Sequence, residues 1–379
     1  MAETKTDIAK KGLEGAIAGV TRITLINGTE GRLLYRGYRI QDLATHCTFE
    51  EIVYLLWNGE LPNRTQLEKI SGDLREIRTI PPRLISILKE IPAQALPIDV
   101  LRSGVSVLAH FDKETPDNSP EANWRKSLRL VSQSATITAA HHRIQHGQEP
   151  ITPDKSLSHV ANFLYMLKGK KPDPAVVAPV EAYFVLLADH DFNASTFAGR
   201  VTVGTMSDIY AAATTALGTL KGPLHGGAAE AVMEMLPHIK GPDDAEAFVD
   251  RTLAAGQKVM GFGHRVYKTR DPRGTVLKEI YFKNVKTDEQ KMWGEICQRI
   301  EKRMLEKKNL NFNVDFYGAV ALAVAGIPIE LLTNLFGLSR IAGYCAHFME
   351  QYSDNRLIRP LSQYEGPAER DFIPFAKRD

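Results

Sequence analysis

Between residues 287 and 304 the apolar side chains Met292, Ile296, Ile300 and Met304 recur every four positions. That spacing predicts one buried helical face. Thr287 and Gln290 stand ahead of it as a capping box, each side chain answering the other residue's backbone N–H. Thr48 and Glu51 repeat the signature before the run IVYLL. Ser119-Pro120 and Asp173-Pro174 each set a cap residue before a proline suited to the first helical position. The exception to helical spacing is VTRITLINGTEGRLLYRG near the start, where β-branched residues around Asn27-Gly28 predict a small hairpin. The pattern therefore predicts a mainly α fold of about fifteen to twenty helices. Strand and helix do not alternate, which argues against a doubly wound α/β sheet.

The polar stretches 111 to 121 and 147 to 155 read as loops. The most apolar segment, 317 to 338, is long enough to reach across a bilayer. Pro328, Glu330 and Asn334 interrupt it, so it predicts two buried helices rather than a membrane span. At 379 residues the chain exceeds one comfortable core and predicts two domains. Neither loop has the character of a long linker, so the second domain is expected as an excursion from the first. A net charge of +2 gives no global attraction to nucleic acid. Cys47, Cys297 and Cys345 are far apart, and no CxxC occurs. That pattern argues against a disulfide framework or thiolate zinc site and fits a reducing, cytoplasmic compartment. The first residues lack the apolar run of a secretory signal and the arginine content of a mitochondrial-type presequence.

Candidate chemistry lies in four stretches. GFGHRVYKTRDPRG, 261 to 274, sets His264 among glycines and cations. ADHDFNAST, 188 to 196, carries His190 and then Asn193. KGPLHGGAAE, 221 to 230, carries His225, expected near a helix N-terminus, where the dipole disfavours its cationic form. NFNVDFYGA, 311 to 319, holds Asp315 between apolar neighbours, which suits a carboxylate raised toward general-base work. A neutral histidine can donate to a carbonyl and stabilise an enolate. Each residue alone also reads as an ordinary turn, cap or surface charge.

Together the stretches resemble the citrate synthase family, in its shorter bacterial and archaeal form that includes 2-methylcitrate synthases. GFGHRVYKTRDPRG resembles the family signature throughout. GPLHGGA, DHDFNAST, NVDFYGA, LFGLSRIAGY and NRLIRPLSQYEG accompany it in the family's order, so the likeness runs from about residue 18 to about 366. The resemblance implies a two-domain helical fold, with residues 1–225 and 331–379 as the large domain and 226–330 as a small inserted one. It implies condensation of acetyl-CoA with oxaloacetate, then thioester hydrolysis to citrate and CoA, or the same with propionyl-CoA to 2-methylcitrate. His225 would stabilise the enol, Asp315 remove the α-proton, and His264 donate to the oxaloacetate carbonyl. His190, Arg273 and Arg340 would hold its carboxylates, with Arg75 a further candidate. Arg359 would reach across from a partner subunit in a homodimer. Lys258, Val259, Met260, Gly261 and Phe262 would meet CoA, Gly261 and Gly263 letting the backbone approach the thioester. No cofactor and no metal is implied, nor the extra N-terminal domain linked to NADH inhibition in some larger enzymes.

Two other classes are weighed against this. A helical metallohydrolase rests on His142 and His146, four residues apart in HHRIQH, but no carboxylate is spaced in sequence to complete the site. A non-catalytic module binding CoA or organic acids is disfavoured because His225, His264 and Asp315 are all present.

Overall fold

The computed structural model describes residues 11 to 378. The reading of a leader falls largely on residues 1 to 10, outside that range. Among the described residues are sixteen α-helices and one three-stranded sheet. Residues 21 to 357 form one compact unit; residues 11 to 20 with 358 to 378 form another. The smaller unit has short 3-10 turns at Lys11–Leu13 and Phe375–Lys377 and exposes Leu361, Tyr364, Phe372 and Phe375.

The hairpin forms where expected. Strands β1 (Thr24–Asn27) and β2 (Arg32–Tyr35) pair antiparallel, Thr24 opposite Tyr35 and Asn27 opposite Arg32. The turn spans 28 to 31, longer than the two-residue Asn-Gly type. Asn27 Oδ1 accepts from the N–H groups of Thr29 and Glu30. A third strand, β3 (Tyr38–Arg39), pairs with β2 and has no counterpart in the sequence pattern. The turn packs against the segment after His264. Lys268 N donates to Gly28 O at 2.9 Å, and a Cβ on Gly28 would lie 2.2 Å from Val266 O.

Local capping chemistry reads through directly. Both capping boxes are formed, at Thr48 with Glu51 and at Thr287 with Gln290. Ser119 and Asp173 cap the helices Pro120–Gln145 and Pro174–Leu187. In the helix Asp288–Lys308, Ile296, Ile300 and Met304 are buried but Met292 is 39% exposed, so the packed stripe begins one turn later than the spacing implies. The apolar segment 317 to 338 breaks at Gly326-Ile327-Pro328 between the helices Val314–Val324 and Leu332–Ser353. Among the described residues no helix is long and apolar enough to cross a membrane.

Helix Leu332–Ser353 is the structural axis. It is buried without interruption from Leu332 to Phe348. It packs against the helices Phe49–Asn58, Pro97–Leu108, Pro120–Gln145, Pro174–Leu187, Ala194–Gly204 and Ile209–Leu220. Gly343 permits the closest approach: its N–H donates to Ala188 O at 3.0 Å, and a Cβ there would lie 2.3 Å from that oxygen. A helix buried on every side must find partners for its polar residues. Ser339 Oγ donates to Phe184 O, Arg340 Nε donates to Leu187 O, and His347 Nε2 meets Asp189 Oδ2. All three bonds fall on the end of helix Pro174–Leu187 and the loop after it. They fix the backbone that carries His190.

Candidate active site

The loop after Leu187 turns sharply at Asp191, which takes φ +51°. Asn193 then caps helix Ala194–Gly204, its Oδ1 accepting from the N–H groups of Ser195 and Thr196, both at 3.1 Å. His190 is buried, with Nε2 3.2 Å from the Tyr267 hydroxyl and its ring 5.3 Å, edge-on, from that of His264. Burial, and then the Arg273 charge, hold its imidazolium form well below the ordinary range. Ser195 Oγ lies 2.7 Å from His225 Nε2 and accepts from the Tyr344 hydroxyl at 2.7 Å.

His225 stands in a tight turn. Its N–H donates to Gly222 O, and Gly226 N–H donates to Leu220 O, both at 2.8 Å. A Cβ on Gly226 would meet that same oxygen at 2.8 Å, so the turn requires glycine. The next helix, Ala228–Met235, starts beyond the histidine. Burial, with Arg340 adding to it, lowers the His225 pKa to about 4. Burial and Arg340 both favour the neutral form, and the cap of helix Ala228–Met235, Gly227, lies two residues on.

The 261 to 264 segment is clamped to the start of helix Val314–Val324. Gly263 N donates to Asn311 O, Asn313 N to Gly261 O, and Asn313 Nδ2 to Gly263 O, at 2.9 to 3.1 Å. Gly261 and Gly263 adopt φ +83° and +80°, and a Cβ on Gly261 would lie 2.7 Å from Phe316 Cβ. Both glycines thus meet demands within the chain itself. Asn313 caps the helix by accepting from Asp315 N at 3.0 Å, which places Asp315 in the first turn. Asp315 is half-buried, and burial raises its pKa to about 7 against the opposing charges of Arg273 and Arg340.

His264 has its tautomer set by the backbone. Its Nδ1 lies 3.0 Å from Val266 N and 3.1 Å from Tyr267 N, both of them donors. Nδ1 therefore carries the lone pair, and in the neutral ring the proton is on Nε2. Burial and Arg273 lower the His264 pKa to about 4.

Arg273 and Arg340 are both buried. Asp271 grips the first: Arg273 Nε donates to Oδ1 at 3.1 Å and Nη2 to Oδ2 at 2.7 Å. Among the described residues Arg340 makes no ion pair with a carboxylate, although the Asp189 charge acts on it. Its Nε donates to Leu187 O at 2.7 Å, its guanidinium lies 4.7 Å from the Phe336 ring centroid, and Nη2 is buried without a partner. A buried donor of this kind is costly unless a ligand satisfies it.

The remaining expected residues lie elsewhere or differ among themselves. Lys258 is exposed, Val259 is packed in the core, Gly261 is buried, and Met260 and Phe262 are half-buried. Arg75 lies on helix Arg64–Glu76, which packs against the helices Phe49–Asn58, Pro120–Gln145 and His159–Lys168. Its charge acts on Arg78, and none of the contacts described above reaches it. Arg359 is exposed in the smaller unit. Sequence reading passed over Ser195, Tyr267, Tyr344 and Asp271. Asp271 alone had a local signal, as the cap before Pro272; the others are recruited by tertiary contacts.

Arg273 and Arg340 act electrostatically on both His190 and Asp315, and His264 and His225 act on His190. The assembly combines a raised carboxyl, neutral imidazoles and an unpaired guanidinium donor. Comparison with known proteins agrees with this chemistry. The family model for the citrate synthase C-terminal domain matches residues 12–361. Citrate synthase 2 of Bacillus subtilis is 42% identical over 371 residues, covering 98% of this chain and 99% of that protein. The 2-methylcitrate synthase 2 of Corynebacterium glutamicum is 38% identical, covering 99% of each. Among solved structures, the Thermoplasma acidophilum citrate synthase in ternary complex with carboxymethyl coenzyme A and oxaloacetate superposes with a TM-score of 0.92 at 34% identity, covering 97% of this chain and 99% of that one. This chain belongs to the citrate synthase family.

Proposed function

We propose that this enzyme, an acyltransferase, condenses acetyl-CoA with oxaloacetate and hydrolyses the thioester formed, giving citrate and CoA. The observation that carries the reading is Asp315: a carboxyl with a pKa of about 7 in the field of two buried arginines. A thioester methyl is a weak carbon acid, and its deprotonation needs a positioned base and a donor on the carbonyl oxygen. Asp315 is the base. His225 is the donor; the Ser195 hydroxyl, which donates to Asn193 Oδ1 at 2.7 Å and lies 2.7 Å from His225 Nε2, positions its ring. His264 donates from Nε2–H to the ketone as it becomes an alkoxide. Arg340, Arg273 and His190 hold the carboxylates of oxaloacetate, and the orphaned Arg340 Nη2 gains its acceptor there.

Residues 226–330 act as a small domain that closes on the rest and excludes water until both substrates are bound. Lys258 to Phe262 meet CoA. The enzyme works as a cytoplasmic homodimer, with Arg359 supplied to the site of its partner, and needs no cofactor. Propionyl-CoA is the second acyl donor to consider, because 2-methylcitrate synthases stand among the relatives at 38 to 40% identity. Arg75 has no assigned part in this scheme.

The test is thiol release on mixing the protein with oxaloacetate and acetyl-CoA, then with propionyl-CoA. Release is expected to require oxaloacetate. In Asp315→Asn it is expected to fall by about 10²–10⁴-fold. The ratio of kcat/KM for the two thioesters decides between the products. No release with either would overturn the proposal and leave a binding module without turnover.

A further inference from the structure

His142 and His146 end the long helix Pro120–Gln145, and the sequence offers no nearby carboxylate to join them. The fold supplies one. Glu330, in the short turn before the central helix, brings Oε1 to 3.6 Å from His142 Nδ1. The two imidazole rings lie 4.3 Å apart. One ligand atom from each of the three residues lies within 4.8 Å of the others.

Two further details bear on ligation. His146 Nδ1 lies 2.7 Å from His142 O and donates to it, which leaves the lone pair on Nε2. That second bond from a ligating histidine to a carbonyl is the usual means of orienting the ring. His142 Nδ1 is buried and has no hydrogen-bond partner.

We propose that His142, His146 and Glu330 form a binding site for a divalent transition-metal ion of the zinc class. Two imidazoles and one carboxylate favour zinc over magnesium or calcium, which prefer all-oxygen shells. Donors around a tetrahedral zinc at about 2.0–2.2 Å lie roughly 3.3–3.6 Å apart, so closing the site needs only side-chain rotation. The exposed Glu330 carboxylate is free to make that movement. The fourth position is left to water. The bound ion ties the end of helix Pro120–Gln145 to the break at 326 to 331, which Lys168 Nζ already holds through Ala325 O. None of its three residues is among the catalytic ones, and zinc binding itself is read without substrate.

Full-length protein, free of chelator and of any histidine tag, is titrated with zinc chloride by calorimetry and by thermal unfolding. One zinc per chain and a rise in Tm are expected. His146→Ala and Glu330→Gln, both at exposed positions, are expected to weaken binding by about tenfold or more and to remove the Tm rise. Thiol release without zinc should match the parent protein. Equal zinc binding in the parent and both variants would overturn the proposal, because the ion would then sit elsewhere. Absence of binding at about micromolar zinc would overturn it as well.

Discussion

Helix Leu332–Ser353 and the segment 258 to 273 each bring a buried arginine to the same site, and they treat its charge in opposite ways. In the segment, burial works against the Arg273 charge, but Asp271 outweighs it and holds the guanidinium above its ordinary range. In the helix, burial lowers the Arg340 pKa, and the side chain has one carbonyl, one aromatic face and an unpartnered Nη2. Arg273 sits in the first turn of helix Pro272–Asn284, and the cap of that helix, Asp271, is its counter-ion. Helix Leu332–Ser353, packed among seven other helices, holds its arginine without an ion-paired carboxylate. The difference separates orientation from affinity: Arg273 is preset by a fixed partner, whereas Arg340 gains most when an anion arrives.

Three substitutions probe that contrast. The largest effect is expected from Asp271→Asn, which leaves Arg273 buried without its carboxylate. A loss of about 3–5 kcal/mol in unfolding free energy is expected, read from the denaturant midpoint. An unchanged midpoint would show that the Asp271 pairing carries no weight. Arg340→Met comes next. Because it removes a buried charge that has no ion-paired carboxylate, stability should hold or rise, while oxaloacetate binding measured by calorimetry should weaken by about 2–3 kcal/mol. Strong destabilisation without loss of binding would reverse the contrast.

The smallest effect concerns Asp315, whose carboxyl feels both arginines. Its native pKa of about 7 exceeds the ordinary 3.8, so between those values the folded state binds more protons than the unfolded. Its contribution to stability therefore falls as pH rises through that window. His225 and His264, lowered to about 4, act with the opposite sign between about 4 and 6.5. Asp315→Asn removes only the first effect. The variant should gain steadily on the parent as pH rises from about 4 to 7. A constant difference across that range would remove the case for a raised carboxyl.

What was legible in the sequence follows the reach of each interaction. Thr48 with Glu51, Thr287 with Gln290, and Asn27 before its turn bond to backbone within three residues, so their roles are visible in order alone. The signature stretches carry His225, His264 and Asp315 together, and the structure brings them near the buried arginines. Tyr267 meets His190, and Ser195 meets His225, only after helices have packed, and no local spacing announces either. Glu330 reaches His142 across the fold for the same reason. Met292 shows the converse error: periodicity defined a face but not where its neighbour stops covering it.

The hairpin turn against Val266 and Lys268 has a consequence for biosynthesis. On the ribosome, residues 28 to 31 emerge long before the segment they support, and Asn311 to Asn313, its other clamp, emerge later still. A nascent chain that ends before Asn311 therefore lacks one of the two clamps on the backbone around His264. The site is assembled only when nearly all of the chain has been made, so truncated products should lack it even where many of their helices have formed.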